Sequence, residues 1–130
     1  MQKTHYTLLY IEDELATRSN IAKFLATRCA EVFEASDGEE GYKLYKKHLP
    51  DFIITDLQTP KLDGISLIQK IRSYDYTTPI IIISAYSDKE KLSYLQSYNI
   101  LSYIIKPITR TGLKDMLDLV FSKLDEIRND

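Results

Sequence analysis

The feature that most constrains the fold is a strict alternation between two kinds of apolar segment. Five short runs are rich in β-branched and aromatic residues, which is typical of buried strands. These runs are Leu8–Ile11, Val32–Ala35, Phe52–Thr55, Ile80–Ile83 and Ser102–Ile105. A longer segment with apolar residues at helical spacing follows each run. Strands that alternate with helices in this way favour an α/β fold, with a parallel sheet covered by helices on both faces.

Each of the five predicted helices has an apolar stripe. The stripes contain Leu15, Ala22, Leu25 and Ala26 with Ile21 beside them; Gly41, Leu44 and Tyr45; Ile68 and Ile71; Leu92, Leu95 and Tyr98; and Leu113, Met116, Leu117, Val120, Leu124 and Ile127. Residues with capping preferences mark the helix ends. Asp37 and Asp63 are expected to start the second and third helices, Asn99 to follow the fourth, and Thr109 or Thr111 to start the fifth.

Length and composition indicate one globular domain over residues 1–130, with no output domain in this chain. Apolar residues make up 44% and charged residues 28% of the 130 residues, a balance that argues against disorder. A net charge of −2 provides no basic field for nucleic acid or an anionic membrane. The single cysteine excludes an intramolecular disulfide, and no signal peptide or membrane span is recognisable. We therefore expect a cytoplasmic location.

Polar and charged residues of particular types follow four of the five predicted strands. Glu12 and Asp13 follow the first strand, Asp56 the third, Ser84 the fourth and Lys106 the fifth. In an open parallel sheet, ligands bind outside the carboxyl ends of the strands. The sequence therefore predicts that three carboxylates, a hydroxyl and an ammonium group converge at this edge.

Such a set suits phosphoryl transfer assisted by a hard divalent cation. Mg²⁺ prefers oxygen ligands, typically one or two carboxylates with waters and a phosphate. A lysine and a hydroxyl can stabilise the oxygens of the transferring group. Each residue alone has an ordinary explanation: Glu12 and Asp13 as the acidic start of a helix, Asp56 in a turn, Ser84 as a cap, Lys106 in solvent. The combination of all of them at the correct strand ends argues against coincidence.

The motifs around these residues resemble those of bacterial response-regulator receiver domains, over about Leu8 to Leu124. The motifs are Tyr10-Ile11-Glu12-Asp13-Glu14, Ile53-Ile54-Thr55-Asp56-Leu57-Gln58-Thr59-Pro60, Asp63-Gly64, Ile82-Ile83-Ser84-Ala85 and Tyr103-Ile104-Ile105-Lys106-Pro107. The resemblance implies a flavodoxin-like, doubly wound, three-layer fold with five helices and strand order 2-1-3-4-5.

The resemblance also implies a role for each site residue. Asp56 is the phosphoacceptor and contributes to a Mg²⁺ site, with Mn²⁺ as a possible substitute. Asp13 is expected to ligate the metal directly, Glu12 mainly through water, and Gln58 through its backbone carbonyl. Lys106 is expected to pair with a phosphoryl oxygen. The domain would catalyse only its own phosphorylation and dephosphorylation, so we do not expect a conventional enzyme.

A second group of residues is implied to switch the domain. Ser84 is the switch hydroxyl, Tyr103 the aromatic residue that turns inward with it, and the bond before Pro107 is expected to be cis. Phosphorylation would thereby bias the surface formed by the fourth helix, fifth strand and fifth helix. Gln58 and Tyr86 stand where the family tunes dephosphorylation, and a bulky Tyr86 predicts a moderately long-lived phosphoryl group.

The sequence departs from the family pattern at two positions without losing a functional group. Ser84 stands where threonine is frequent, and Thr59 stands where methionine is common. The implied partners are a sensor histidine kinase or histidine phosphotransfer protein. A downstream partner or a second copy would bind the switch face, on or near which lie Tyr86, Tyr94, Tyr98 and Tyr103. Direct DNA binding by this chain is not expected.

Three other functions compete with this hypothesis. A degenerate receiver would bind partners without phosphorylation, but all five key side chains are present. A haloacid-dehalogenase-type phosphatase would need a second aspartate two residues after the first, where Gln58 stands. A flavin-binding domain would need a hydroxyl- and glycine-rich phosphate loop after the first strand, where Glu12-Asp13-Glu14 would repel a phosphate.

Overall fold

A computed structural model describes residues 3–128, apart from the side chain of Tyr86. The elements in chain order are β1 (Thr7–Ile11), α1 (Leu15–Leu25), β2 (Glu31–Ala35), α2 (Gly38–His48), β3 (Phe52–Asp56), α3 (Gly64–Arg72), β4 (Ile80–Ser84), a 3₁₀ turn (Tyr86–Asp88), α4 (Lys89–Ser93), β5 (Ser102–Ile105) and α5 (Arg110–Arg128). All five predicted strands are confirmed, and each predicted boundary lies within one residue of the observed one. No helix within residues 3–128 is both long and apolar enough to cross a bilayer.

The five strands form one parallel sheet in the order β2-β1-β3-β4-β5, which confirms the flavodoxin-like topology. The register brings the carboxyl ends of the strands nearly level: Ile11 pairs with Ala35, Asp56 with Ile83, and Ser84 with Ile105. The groups that follow these strands therefore start from the same edge of the sheet.

Successive strand side chains point to opposite faces of the sheet, and each face is covered by helices. Leu8 and Tyr10 of β1 belong to the core cluster that contains residues of α1 and α5. Leu9 and Ile11 belong to the other cluster, which contains residues of α2 and α3. Burial on both faces explains why β3 and β4 are buried at every position and why their sequences are almost continuously apolar.

The predicted helical stripes are wrong at helix ends. Leu15 is 68% exposed, Ile127 is 45% exposed, and Ala26 is exposed at the C-cap of α1, whereas Ile21 is buried. At 19 residues, α5 is about 28 Å long, whereas a five-residue strand spans about 17 Å. A terminal turn can therefore extend past the sheet, and side-chain spacing alone does not show where the sheet ends.

The fourth helix is also shorter than its apolar spacing suggests. It covers only Lys89–Ser93, yet Leu95 is fully buried and Tyr98 is partly buried in the turns that follow. Asn99 then adopts the predicted left-handed conformation, with φ of 56°. The apolar positions were thus correctly assigned to the core but wrongly assigned to a helix.

The predicted helix starts are confirmed. The side chains of Asp37 and Asp63 accept hydrogen bonds from backbone N–H groups of α2 and α3. Thr109 rather than Thr111 caps α5, since its Oγ1 accepts a hydrogen bond from the Gly112 N–H at 2.9 Å. The cap of α1 is Glu14, which the sequence analysis did not predict.

Candidate functional site

Asp56 lies at the centre of the candidate site. It is the last residue of β3 and is only 2% exposed. Lys106 Nζ lies 2.6 Å from its Oδ2, and the Gln58 backbone N–H donates to its Oδ1 at 3.0 Å. Lys106 follows β5, two strands away, and its own backbone N–H donates to the Ser84 carbonyl oxygen at 2.9 Å. The predicted meeting of Asp56 and Lys106 is therefore confirmed.

Gly64 allows the chain to pass close to this carboxylate. A Cβ atom on Gly64 would lie 2.7 Å from the Asp56 carbonyl oxygen and 2.8 Å from the Leu57 Cα. Both neighbours are backbone atoms that cannot move aside cheaply. The Gly64 N–H also donates to the Leu57 carbonyl oxygen at 2.9 Å. The Asp63-Gly64 pair thus starts α3 and holds the loop after β3 tight against the strand end.

Glu12 provides a second buried carboxylate beside Asp56. It is 3% exposed, its Oε2 accepts a hydrogen bond from the Glu14 N–H at 3.0 Å, and its carbonyl oxygen accepts one from Arg18. Burial is the main reason that the pKa of Glu12 is raised to about 7. The charge of Asp56 and hydrogen-bonding contact with Asp13 and Asp56 act in the same direction, and the hydrogen bond from the Glu14 N–H opposes them. Like-charged groups are crowded here, as the sequence predicted.

The ammonium group of Lys106 responds to the same charges. Burial alone would lower the pKa of Lys106, but the hydrogen bond to Asp56 and the charges of Asp56, Glu12 and Asp13 outweigh it and raise the pKa. Lys106 is therefore a permanent cation at neutral pH. It faces the carboxylate from the side of β5, with 42% of its side chain exposed.

The donor set fits Mg²⁺. Within residues 3–128, no group of three acidic, histidine or cysteine side chains stands close enough to hold a metal by itself. Mg²⁺ typically takes only one or two protein carboxylates and keeps several waters, so a preassembled cluster is not required. Buried Glu12 and Asp56 with exposed Asp13 beside them supply hard oxygen donors. Burial and, to a smaller extent, the charge of Asp56 raise the pKa of Glu12, and a cation would offset both effects.

Ser84 is the last residue of β4, and its side chain is completely buried. Among the described residues, its Oγ has no hydrogen-bond partner. A buried polar group without a partner typically costs about 1–3 kcal/mol, which is unusual enough to suggest a functional role. Tyr103 on neighbouring β5 is 39% exposed, and burial of the rest of its side chain raises its pKa. The peptide bond between Lys106 and Pro107 is cis, as predicted.

The sequence analysis missed one functional candidate, Asp88. Its Oδ1 accepts a hydrogen bond from the Gln58 side-chain Nε2 at 2.7 Å, and its Oδ2 accepts one from the Ala85 N–H at 2.8 Å. In a capping box, a side chain three residues after the first capping residue accepts a hydrogen bond from that residue's N–H. Asp88 stands three residues after Ala85, and this spacing could have pointed to Asp88 from the sequence. The side chain of Tyr86, which we predicted to tune dephosphorylation, lies outside the described residues.

Comparison with known proteins identifies the family. A model of the response regulator receiver domain matches residues 8–118. The chain belongs to the response regulator receiver family. Receiver domains act in two-component signalling, and the match includes every site residue named above. Family membership excludes the dehalogenase-type and flavin-binding alternatives; the degenerate receiver is an alternative within the family.

Individual relatives agree with this assignment. The chain is 33% identical over 120 residues to the probable C4-dicarboxylate response regulator DctR of Priestia megaterium, a match that covers 91% of this chain and 53% of that protein. It is 31% identical over 122 residues to the chemotaxis protein CheY of Treponema pallidum, covering 92% and 83%. The chain thus spans about half the length of DctR but most of CheY.

Solved structures share the fold. The N-terminal domain of an uncharacterised Wolinella succinogenes protein superposes with a TM-score of 0.84 at 31% identity, covering 93% of this chain and 98% of that one. A receiver domain from Clostridium thermocellum gives a TM-score of 0.86 at 24% identity, covering 94% and 98%. The second similarity establishes the fold alone.

Proposed function

We propose that this receiver domain accepts a phosphoryl group on Asp56 from a sensor histidine kinase or histidine phosphotransfer protein. The observation that carries the proposal is the buried Asp56 carboxylate, held by Lys106 at 2.6 Å beside a second buried carboxylate. An Asp56 oxygen attacks the phosphorus of a phosphohistidine, the P–N bond breaks, and the imidazole leaves with the electron pair. Lys106 then stabilises negative charge on a phosphoryl oxygen.

We propose that Glu12, Asp13, Asp56 and the Gln58 carbonyl oxygen hold Mg²⁺, or Mn²⁺ in its place. The cation would neutralise negative charge on the phosphoryl oxygens while the phosphoryl group is transferred. Without it, a phosphoryl group would join the like charges that already raise the pKa of Glu12. Phosphorylation should therefore depend strictly on a divalent cation.

The switch is the finer part of the proposal. The unpartnered Ser84 hydroxyl would donate to the new phosphoryl group, and its movement would let Tyr103 turn inward. Tyr94, Tyr103 and Ile105 are 70%, 39% and 51% exposed, which supports the face of α4, β5 and α5 as a contact surface. We propose that a downstream partner or a second copy binds there in a phosphorylation-dependent way.

The remaining parts of the proposal concern context. Residues 1–130 would act as one receiver domain in the cytoplasm. Direct DNA binding is not proposed, because the net charge of −2 gives no overall attraction to the phosphate backbone. The domain would catalyse only its own phosphorylation and dephosphorylation, so it is not a conventional enzyme.

The test is phosphorylation by a small donor. Incubation with acetyl phosphate and Mg²⁺, followed by intact-mass measurement, should add one phosphoryl group to the wild type. Asp56→Asn, or omission of Mg²⁺, should abolish the gain, and circular dichroism should confirm that the variant folds. If the folded wild type gains no phosphoryl group and also fails to bind beryllofluoride, the degenerate receiver becomes the better explanation.

A further inference from the structure

We propose that Asp88 is a positioning residue that prolongs the life of the phosphoryl group by restraining the side chain of Gln58. The inference rests on the proposed phosphorylation of Asp56. It concerns the two loops that flank Asp56: one follows β3 and contains Gln58, and the other follows β4 and contains Ala85 and Asp88.

Asp88 is the residue that joins these loops. The residue is only 2% exposed although it ends the short 3₁₀ turn between β4 and α4, and charged residues are rarely buried. One carboxylate oxygen accepts a hydrogen bond from the Gln58 side-chain amide at 2.7 Å, and the other accepts one from the Ala85 backbone N–H at 2.8 Å. A buried carboxylate with both oxygens bonded holds its donors firmly, since bonds to a charged acceptor are stronger than neutral ones.

Gln58 is the group that this restraint affects. Its backbone N–H already binds the Asp56 carboxylate at 3.0 Å, so its side chain starts next to the phosphoacceptor. The residue is exposed and borders a cleft of about 550 Å³ that Asp13, Lys91 and Tyr94 also line. Water can therefore approach from that cleft, and a free amide would have room to move into it.

A free glutamine amide next to a phosphoryl group is suited to orient water. It can donate to one atom and accept from another, and glutamine performs this task in GTP hydrolysis. The hydrogen bond to Asp88 uses one N–H of the Gln58 amide and fixes the position of the whole group, so the amide is not free to orient water. Hydrolysis of the aspartyl phosphate, in which water oxygen attacks phosphorus and the Asp56 carboxylate leaves, should therefore be slowed by Asp88.

The experiment measures loss of the phosphoryl group from purified, acetyl-phosphate-loaded protein after the donor is removed. Asp88→Ala should speed the loss by about 3- to 10-fold, a modest effect for repositioning one side chain at a reacting centre. The double variant Gln58→Ala/Asp88→Ala should lose the group at the rate of Gln58→Ala alone. Glu39→Ala is the control: it removes an exposed carboxylate from α2, outside both loops, so its rate should stay near wild type.

Asp88 also has a structural role, because it holds the Ala85 N–H at the start of the 3₁₀ turn. If Asp88 had only a structural role, Asp88→Ala would change the rate of phosphoryl loss by the same factor in the wild type and in Gln58→Ala. That result would overturn the proposal. If Asp88→Ala does not fold, Asp88→Asn, which keeps an acceptor for Ala85 but loses the charge, should give a smaller change in the same direction.

Two failures can be told apart. If the wild type takes up a phosphoryl group and the Asp88 variants lose it at the wild-type rate, only the role of Asp88 is refuted. If the folded wild type takes up no phosphoryl group at all, the proposed function is refuted and the role of Asp88 with it.

Discussion

The ion pair between Lys106 and Asp56 should stabilise the unphosphorylated protein measurably. At a separation of 2.6 Å, Coulomb's law with an effective dielectric constant of about 20 gives an attraction of about 6 kcal/mol. The 42% exposure of the Lys106 side chain screens this attraction, and burying Asp56 costs desolvation energy. We therefore expect Lys106→Met to lower the free energy of unfolding by only about 1–3 kcal/mol.

A double-mutant cycle separates this attraction from the packing of the lysine stem. In the Asp56→Asn background the partner charge is gone, so Lys106→Met should cost less than about 0.5 kcal/mol. The two single variants, the double variant and the wild type would be unfolded in urea without Mg²⁺ at pH 7.5. Tyrosine fluorescence and far-UV circular dichroism suit the assay, because the chain has ten tyrosines and no tryptophan.

The cycle can refute the electrostatic argument. If Lys106→Met costs the same in both backgrounds, the lysine contributes through its stem rather than its charge. If Lys106→Met stabilises the wild-type background, desolvation of the pair outweighs its attraction. In that case the lysine is retained at a net cost to stability, which would point to the phosphoryl group as its purpose.

The remaining predictions test other parts of the molecule. Mg²⁺ should raise the thermal midpoint of the wild type, and Asp13→Asn should reduce that increase, as measured by calorimetry. An unchanged increase would remove Asp13 from the proposed metal site. Tyr94→Glu should weaken phosphorylation-dependent self-association or partner binding in ultracentrifugation and leave phosphoryl uptake intact; lost uptake would show that Tyr94 serves the site instead. Burial would raise the pKa of Asp75, but hydrogen bonds from Thr78 and Tyr45 outweigh it and lower the pKa to about 2. Its contribution to the free energy of unfolding, on the order of 1–2 kcal/mol, should be complete above about pH 5 and lost as pH falls through about 2. Asp75→Asn should flatten the pH dependence of that free energy across this range.

Local patterns in the sequence were sufficient to predict the strands and their ends. β3 and β4 are buried on both faces, and the runs Phe52–Asp56 and Ile80–Ser84 are correspondingly almost all apolar. The carboxyl ends of parallel strands lie at the same edge of the sheet. A residue that directly follows a strand could therefore be assigned to that edge from the sequence. Asp56 and Lys106 could therefore be brought together from sequence alone, although fifty positions separate them.

Other features depend on neighbours that are distant in sequence, and only the tertiary structure decided them. Leu15 and Ile127 are exposed although helical spacing placed both on an apolar stripe, because spacing does not show what the ends of a helix pack against. The link from Gln58 to Asp88 crosses 30 positions and joins two loops, whose paths are not set by apolar periodicity. Periodicity determined what is buried in this protein, whereas the paths of the loops after β3 and β4 determined which polar groups meet beside Asp56.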